Sequence, residues 1–274
     1  MRKKIKVLGV NFDKTTEKEA LGKIEKWLSE KSKKKHFIVT PNPEIVLKAQ
    51  KDSAYMKIIN SADMSIADGI GILWASKYKR LASQHNSKVK KVAQWLVSLL
   101  IIPVDQKYIK TELPERITGV DLMKKICRLA ADKRKKVYLL GADEGVAEKT
   151  AAKLQKLYPT LKIVGTYAGR PTKSQEDKIV KKIRDAKTEI LFVAYGAPSQ
   201  EKWIHRNMHK IPTLKVVAGI GGAFDFISGK TPRAPKKFRR YGLEWAYRLY
   251  KEPRRIKRIF NATVKFPFKI LMKK

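Results

Sequence analysis

Asp68 is the carboxylate in this chain best placed to move a proton. It closes a short apolar run, Met64 to Ala67, and Gly69 follows it at once. A carboxylate held at such a point can take the proton from a hydroxyl as that hydroxyl attacks. The same side chain could instead cap a helix beginning at Gly69 or Ile70. Four further segments repeat the pattern of an apolar run giving way to polar or glycine residues: Thr40 to Asn42, Gly141-Ala142-Asp143, Gly196 to Gln200, and Gly219 to Gly222. Ordinary turn chemistry accounts for the glycines. Asp68, Asn42 and Gln200 at equivalent points exceed it. In an open parallel sheet, ligands bind beyond the carboxyl ends of the strands. The five segments are therefore expected to form one polar rim.

Other chemistries find little support. There is no Gly-x-x-x-x-Gly-Lys-Ser/Thr and no Gly-x-Gly-x-x-Gly, and Gly219-Ile220-Gly221-Gly222 does not complete the dinucleotide pattern. A redox enzyme is disfavoured. A Gly-x-Ser-x-Gly elbow is absent, which disfavours a serine hydrolase. The single cysteine, Cys127, sits in an apolar helical pattern and reads as core filler. Four scattered histidines with that one cysteine give no zinc spacing. No metal site and no cofactor are expected.

The elements that must position these residues alternate. Strand-like runs are Ile5 to Phe12, His36 to Thr40, Met64 to Ala67, Val137 to Leu140, Leu161 to Val164, Ile190 to Tyr195 and Leu214 to Ala218. Helical patterns lie between them: Thr16 to Leu28, Glu44 to Ala49, Val120 to Ala131 and Gly145 to Leu157 are the clearest. The repeated alternation predicts an α/β fold, a Rossmann-like, mostly parallel sheet with helices on both faces. Residues 1–229 would form this body, and 230–274 a basic helical C-terminal appendage. Residues from about 81 to 113 break the rhythm. Their run Val92 to Val104 is too short to span a bilayer. It reads as a buried helix, or as a contact helix that would make a homo-oligomer, in preference to a membrane-inserted one.

Charge is the other signal. The 274 residues carry 62 Lys and Arg against 25 Asp and Glu, a formal charge of +37. Such a field attracts phosphate in nucleic acid, anionic lipid or a nucleotide-sugar. Many of the lysines in the body sit among acids on helical patterns and read as solvated faces. From Lys230 to Lys274 the only acids are Glu244 and Glu252, and aromatic residues are interleaved. No signal-peptide core and no apolar run of ~18 residues is present. The expected location is cytoplasmic, peripheral on the inner face of the membrane. The competing reading of the tail is nucleic-acid binding. No recognised nucleic-acid module appears, and the polar rim would then lack a purpose, so no nucleic-acid partner is expected.

Seven ordered motifs say more. Thr40-Pro41-Asn42-Pro43-Glu44 leads to Ala67-Asp68-Gly69-Ile70-Gly71, then Pro114-Glu115-Arg116-Ile117-Thr118-Gly119-Val120-Asp121, then Leu140-Gly141-Ala142. Gly196-Ala197-Pro198-Ser199-Gln200-Glu201, the stretch Gly222 to Gly229 with Arg233-Ala234-Pro235, and Gly242-Leu243-Glu244-Trp245 through Arg255 complete the set. In content and order they resemble the WecG/TagA/CpsF glycosyltransferases, over nearly the whole chain. The departure is the 81–113 segment, where compact members are shorter.

The resemblance implies a metal-independent, inverting transfer of an N-acetylmannosamine-type sugar. The donor would be a UDP-sugar and the acceptor a polyprenyl-diphosphate-linked N-acetylglucosamine, for cell-surface polysaccharide synthesis. The family's catalytic aspartate maps to Asp68. Thr40, Asn42 and Gln200 match its polar active-site positions and would hold the sugars; turn or capping work is the other role open to each. Arg116 would stabilise the departing diphosphate, with helix N-termini after Gly141 and Gly196 as N–H donors. Asp225 would hydrogen-bond the nucleoside or serve structure alone. The tail matches the family's membrane-docking appendage. There, Arg248, Arg255 and Arg258, at helical spacings of seven and three, would grip the acceptor's diphosphate. Pro253 should split that tail into two short helices.

Overall fold

The computed structural model describes residues 4–273, apart from 236, 239 and 240. Its strands are β1 (Lys4–Val7), β2 (Val10–Asp13), β3 (His36–Val39), β4 (Met64–Ser65), β5 (Lys136–Gly141), β6 (Lys162–Tyr167), β7 (Ile190–Ala194) and β8 (Val216–Gly219). Six of them form one sheet in the order β4-β3-β8-β7-β5-β6, with every neighbouring pair parallel. This is the expected Rossmann-like α/β architecture.

Strand periodicity explains why both faces need helices. Along β7, Leu191 and Val193 enter one core while Ile190, Phe192 and Ala194 enter the other. β5 divides its residues the same way, with Tyr138 and Leu140 on one side and Val137 and Leu139 on the other. A strand apolar on both faces must be covered on both. Helices Pro43–Ala49, Ser53–Asn60, Ile70–Ala82, Lys173–Asp185 and Ser199–Asn207 cover the first face. Helices Glu17–Ser29, Gly119–Asp132, Val146–Leu157 and Ala223–Ser228 cover the second. Local chemistry starts them where it should. Thr16 and Glu19 form a reciprocal capping box, and Asn42 caps a helix whose first residue is Pro43.

Two expectations need correction. Ile5 to Phe12 is not one strand but the antiparallel hairpin β1–β2. Leu8 and Gly9 turn it with φ of 46° and 84°, positive at both central positions as a type I′ turn requires. Leu8 is not a residue that announces such a turn. Its carbonyl accepts from Gln50 Nε2, and Asn60 Nδ2 donates to the Gly9 carbonyl at 2.9 Å. These distant side chains hold the reversal. The second correction concerns Val92 to Val104. The helix runs Lys88–Ile101, and Ser98 is its one buried residue. Ser98 Oγ accepts from Trp74 Nε1 at 2.9 Å, and Trp95 and Leu99 pack on the core. The opposite side is open, with Leu100 73% exposed. A buried helix is thus excluded.

The tail divides as Pro253 predicts. Helix Glu244–Lys251 ends in a 3₁₀ turn, Pro253–Arg255. Ile256–Phe260, a π-helical stretch Asn261–Lys265 and Phe266–Met272 then run on without a break. This terminal helix lies against Pro43–Ala49, Ile70–Ala82 and Lys88–Ile101. Phe266 is wholly buried there. No described helix is long and apolar enough to cross a membrane.

Candidate active site

Asp68 stands where the chain leaves β4. Backbone bonds hold the departure: Ile66 N–H donates to the Val39 carbonyl at 2.9 Å, and Asp68 N–H to the Pro41 carbonyl at 3.1 Å. Gly69, at φ 131°, then turns into helix Ile70–Ala82 in a conformation that side-chain-bearing residues rarely adopt. The N-cap of that helix is Gly69, which has no side chain to cap it, and among the described residues the Asp68 carboxylate accepts no bond from its first turn. Its Oδ2 instead faces Gly119 N–H at 3.5 Å, 51 residues away.

Gly119 opens the helix Gly119–Asp132, so Asp68 points at a helix N-terminus. A Cβ on Gly119 would stand 3.6 Å from Thr40 Oγ1 and 3.9 Å from Asp68 Oδ2. Thr40 is buried and donates from Oγ1 to the Gly219 carbonyl at 3.3 Å, tying the ends of β3 and β8 together. Asp68, Thr40 and the start of the 119–132 helix therefore share one spot at the carboxyl edge of the sheet.

The electrostatics of that spot are mixed. Burial pushes the Asp68 carboxyl up to about 6. Arg116 opposes the rise, Glu244 adds to it, and the Gly119 N–H and Arg248 oppose it. Arg116 Nη1 lies 3.7 Å from Glu244 Oε2. Burial also lowers the pKa of Arg248, whose guanidinium sits 4.4 Å over the Phe226 ring. Among the described residues its buried Nε has no hydrogen-bond partner. The appendage thus brings one acid and one arginine to the carboxylate.

Gln200 is placed differently from the rest of the rim. It is 2% exposed and lies beneath the loops. Its Oε1 accepts from Gly196 N–H at 3.1 Å and Gly221 N–H at 3.0 Å, and its Nε2 donates to Glu201 Oε1 at 2.7 Å. Glu201 is itself buried, takes a bond from Tyr55 Oη at 3.0 Å, and has its pKa raised by that burial. Gly196 N–H is thereby engaged inside the protein. Asn42 Oδ1 is likewise used, as cap to Ile45 N–H at 3.0 Å. At Gly141, φ 100° and the β7 backbone, which a Cβ would meet at 2.9 Å, demand glycine for close strand packing. The helix N-terminus that follows it begins at Val146.

Asp225 lies on the short helix Ala223–Ser228, half-buried, with Lys230 Nζ 4.0 Å away. Burial raises its pKa, and Lys230 opposes this. The three tail arginines do not share a helical face, because the turn at Pro253 separates them. Arg248 faces Asp68 electrostatically, Arg255 pairs with Glu252, and Arg258 pairs with Glu44 at 2.8 Å. Glu44 also binds Lys48 at 3.0 Å, and Lys48 Nζ reaches the Ala197 carbonyl at 2.9 Å. That chain of contacts links the terminal helix to the loop after β7.

Sequence reasoning missed Arg233, Asp121, Gly119 and Glu244 as site residues. Arg233 makes a bidentate pair with Asp121, Nη1 to Oδ1 at 2.7 Å and Nη2 to Oδ2 at 2.5 Å. Asp121 is hydrogen-bonded with the N-cap Thr118, so Arg233 braces the helix that faces Asp68. The Thr118-x-x-Asp121 spacing was a readable capping signal. Glu244 had a signal too, as one of two acids in a basic tail. Among the described residues, no three His, Cys, Asp or Glu side chains gather in a way that could hold a metal ion. A surface hollow lined by Lys31, Lys136, Glu189 and Lys215 lies at the amino ends of the strands and contains none of the predicted residues.

A parallel sheet with a perturbed carboxylate and arginines at its carboxyl edge has the form of an α/β enzyme, with its candidate site at that edge. The family model described as "Glycosyl transferase WecG/TagA/CpsF family" matches residues 5–99 and 102–274. Similar proteins from Staphylococcus aureus strains MRSA252 and MW2 are each named N-acetylglucosaminyldiphosphoundecaprenol N-acetyl-beta-D-mannosaminyltransferase. Each is 32% identical over 97% of this chain and 92% of the relative. The chain belongs to the WecG/TagA/CpsF family and is a glycosyltransferase.

Proposed function

We propose that the protein transfers an N-acetylmannosamine-type sugar from a UDP-sugar to a polyprenyl-diphosphate-linked N-acetylglucosamine, with inversion and without a metal ion. The donor and acceptor chemistry follows the relatives, whose names specify an N-acetylmannosaminyl group and a diphosphoundecaprenol-linked acceptor. The observation that carries the mechanism is the Asp68 carboxyl, raised to about 6 beside a helix N-terminus and two arginines.

Asp68 takes the proton of the acceptor hydroxyl as its oxygen bonds the anomeric carbon. The bond from that carbon to the diphosphate breaks on the opposite side, and the nucleoside diphosphate leaves with the electron pair. A single displacement inverts the centre. A base with a pKa near 6 is largely ionised at neutral pH, yet holds a proton better than an ordinary carboxylate. Arg116 and Arg248 oppose the negative charge that grows on the leaving group. Thr40 and Asn42 line the sugar side, and Asp225 the nucleoside side. Gln200 works from beneath, holding the loops after β7 and β8 in place. The tail arginines Arg255 and Arg258 meet the acceptor's diphosphate as it arrives from the membrane. The reaction takes place at the inner face of the cytoplasmic membrane and serves cell-surface polymer synthesis.

The test is product identification by mass spectrometry, using a panel of UDP-sugars and a short-chain lipid-diphosphate N-acetylglucosamine. One disaccharide-lipid product from the UDP-N-acetylmannosamine arm, without added metal and absent from Asp68→Asn, is expected. Full turnover by Asp68→Asn removes Asp68 as the base. A product from another donor alone removes the donor assignment.

A further inference from the structure

The helix Lys88–Ile101 packs by one side only. Ser98, Trp95 and Leu99 face the protein, while Val92, Leu96, Val97 and Leu100 are 42–73% exposed. Residues 92, 96 and 100 fall on one helical stripe, opposite Ser98. The terminal helix repeats the arrangement. Phe260, Val264, Phe268 and Met272 are each at least half exposed and lie four residues apart. In an α-helix such a stripe drifts by about 40° at each step. The π-helical stretch Asn261–Lys265, wound with i→i+5 bonds, lies in the middle of it and reduces the drift. Trp95 Nε1 donates to the Pro267 carbonyl at 3.0 Å, which joins the two helices side by side. Exposed Lys88, Lys90, Lys257 and Lys265 border the apolar residues.

Two observations select the occupant. The borders are cationic, in a chain of formal charge +37, which suits an anionic lipid surface. In a two-fold dimer the same patch meets itself, which would bring two copies of this cationic border into one interface. The terminal helix is also tied to the site, through Arg258 and Glu44 at 2.8 Å. A lipid-linked acceptor would approach from the side on which that helix lies.

We propose that the helix Lys88–Ile101 is a second lipid-binding element, which lies together with the terminal helix on an anionic membrane surface. This rests on the reading above that the tail meets the membrane. It assigns the 81–113 segment a role that the tail alone does not fill.

The experiment uses the full chain and a fluorophore sensitive to water. Cys127 is the only native thiol and is buried, so Leu100→Cys carries the one reactive label, and Phe268→Cys provides the matching probe on the tail. With phosphatidylglycerol–phosphatidylcholine vesicles, both labels should brighten and shift to the blue. The combined variant Val92→Ser, Leu96→Ser, Val97→Ser, Leu100→Ser should partition onto those vesicles about tenfold more weakly. A label at position 100 that stays in water while the label at 268 enters lipid would overturn the proposal. So would light scattering that shows a lipid-free dimer in which the position-100 label is already dry. Should the combined variant fail to fold, the single labelled cysteine at an exposed position still decides. Vesicle binding is read without turnover, so loss of catalysis in Asp68→Asn with both labels still responding counts against neither proposal.

Discussion

Asp68→Asn should make the protein more stable while it removes the reaction. The carboxyl rises from an ordinary value of 3.8 to about 6, chiefly through burial. Each unit corresponds to about 1.4 kcal/mol between the two protonation states. The folded state therefore holds its proton more tightly than the unfolded chain between these values, and folding stability falls as pH rises across that window. Above pH 6 the ionised carboxylate costs up to about 3 kcal/mol, and nearer 1–2 kcal/mol once its partial solvent contact is counted. Asparagine keeps an oxygen for the Gly119 N–H and carries no charge. Urea unfolding should show the variant ahead of wild type by that margin at pH 7.5, with the gap closing as pH falls below 4. Turnover at pH 7.5 should drop by roughly 10²–10⁴-fold. A stability gap that does not change with pH would refute the burial argument. A variant that kept its turnover would refute the assignment of the base.

Other perturbations test the surroundings. Glu244→Gln removes a carboxylate that raises Asp68 and releases Arg116 from its 3.7 Å contact. Both changes favour ionised Asp68, so the acid limb of the kcat/KM profile, expected near pH 6 in wild type, should move to lower pH; an unmoved limb would place Glu244 outside the site. Gln200→Leu leaves the N–H groups of Gly196 and Gly221 without their acceptor and removes one of the two side-chain donors to buried Glu201, Tyr55 Oη remaining. A loss of roughly 2–4 kcal/mol is expected, read as a Tm lower by about 5–10 °C. An unchanged Tm would show that Gln200 does not brace these loops.

Much of the fold was legible because its signals are local. Apolar runs marked all six sheet strands to within two residues at each start, and caps such as Thr16 and Asn42 marked helix starts. Where a local signal was ambiguous, the reading failed. The Leu8-Gly9 reversal depends on Gln50 and Asn60, and no window around position 8 contains them. The helix Lys88–Ile101 has the apolar content of a core helix, yet the terminal helix and the core reach only one side of it.

The sequence by itself determined the class of fold, the family and the set of residue types available at the strand ends. Tertiary structure alone decided which of them meet. Gly119 and Arg116 come to Asp68 across a crossover, and Glu244 and Arg248 come from the far end of the chain. Gln200 turns inward, and the tail arginines part at Pro253 to serve three different partners. The reason is physical. Side-chain periodicity and capping act within a few residues, whereas the neighbours of a strand end are set by the order in which strands pair, which no short segment records.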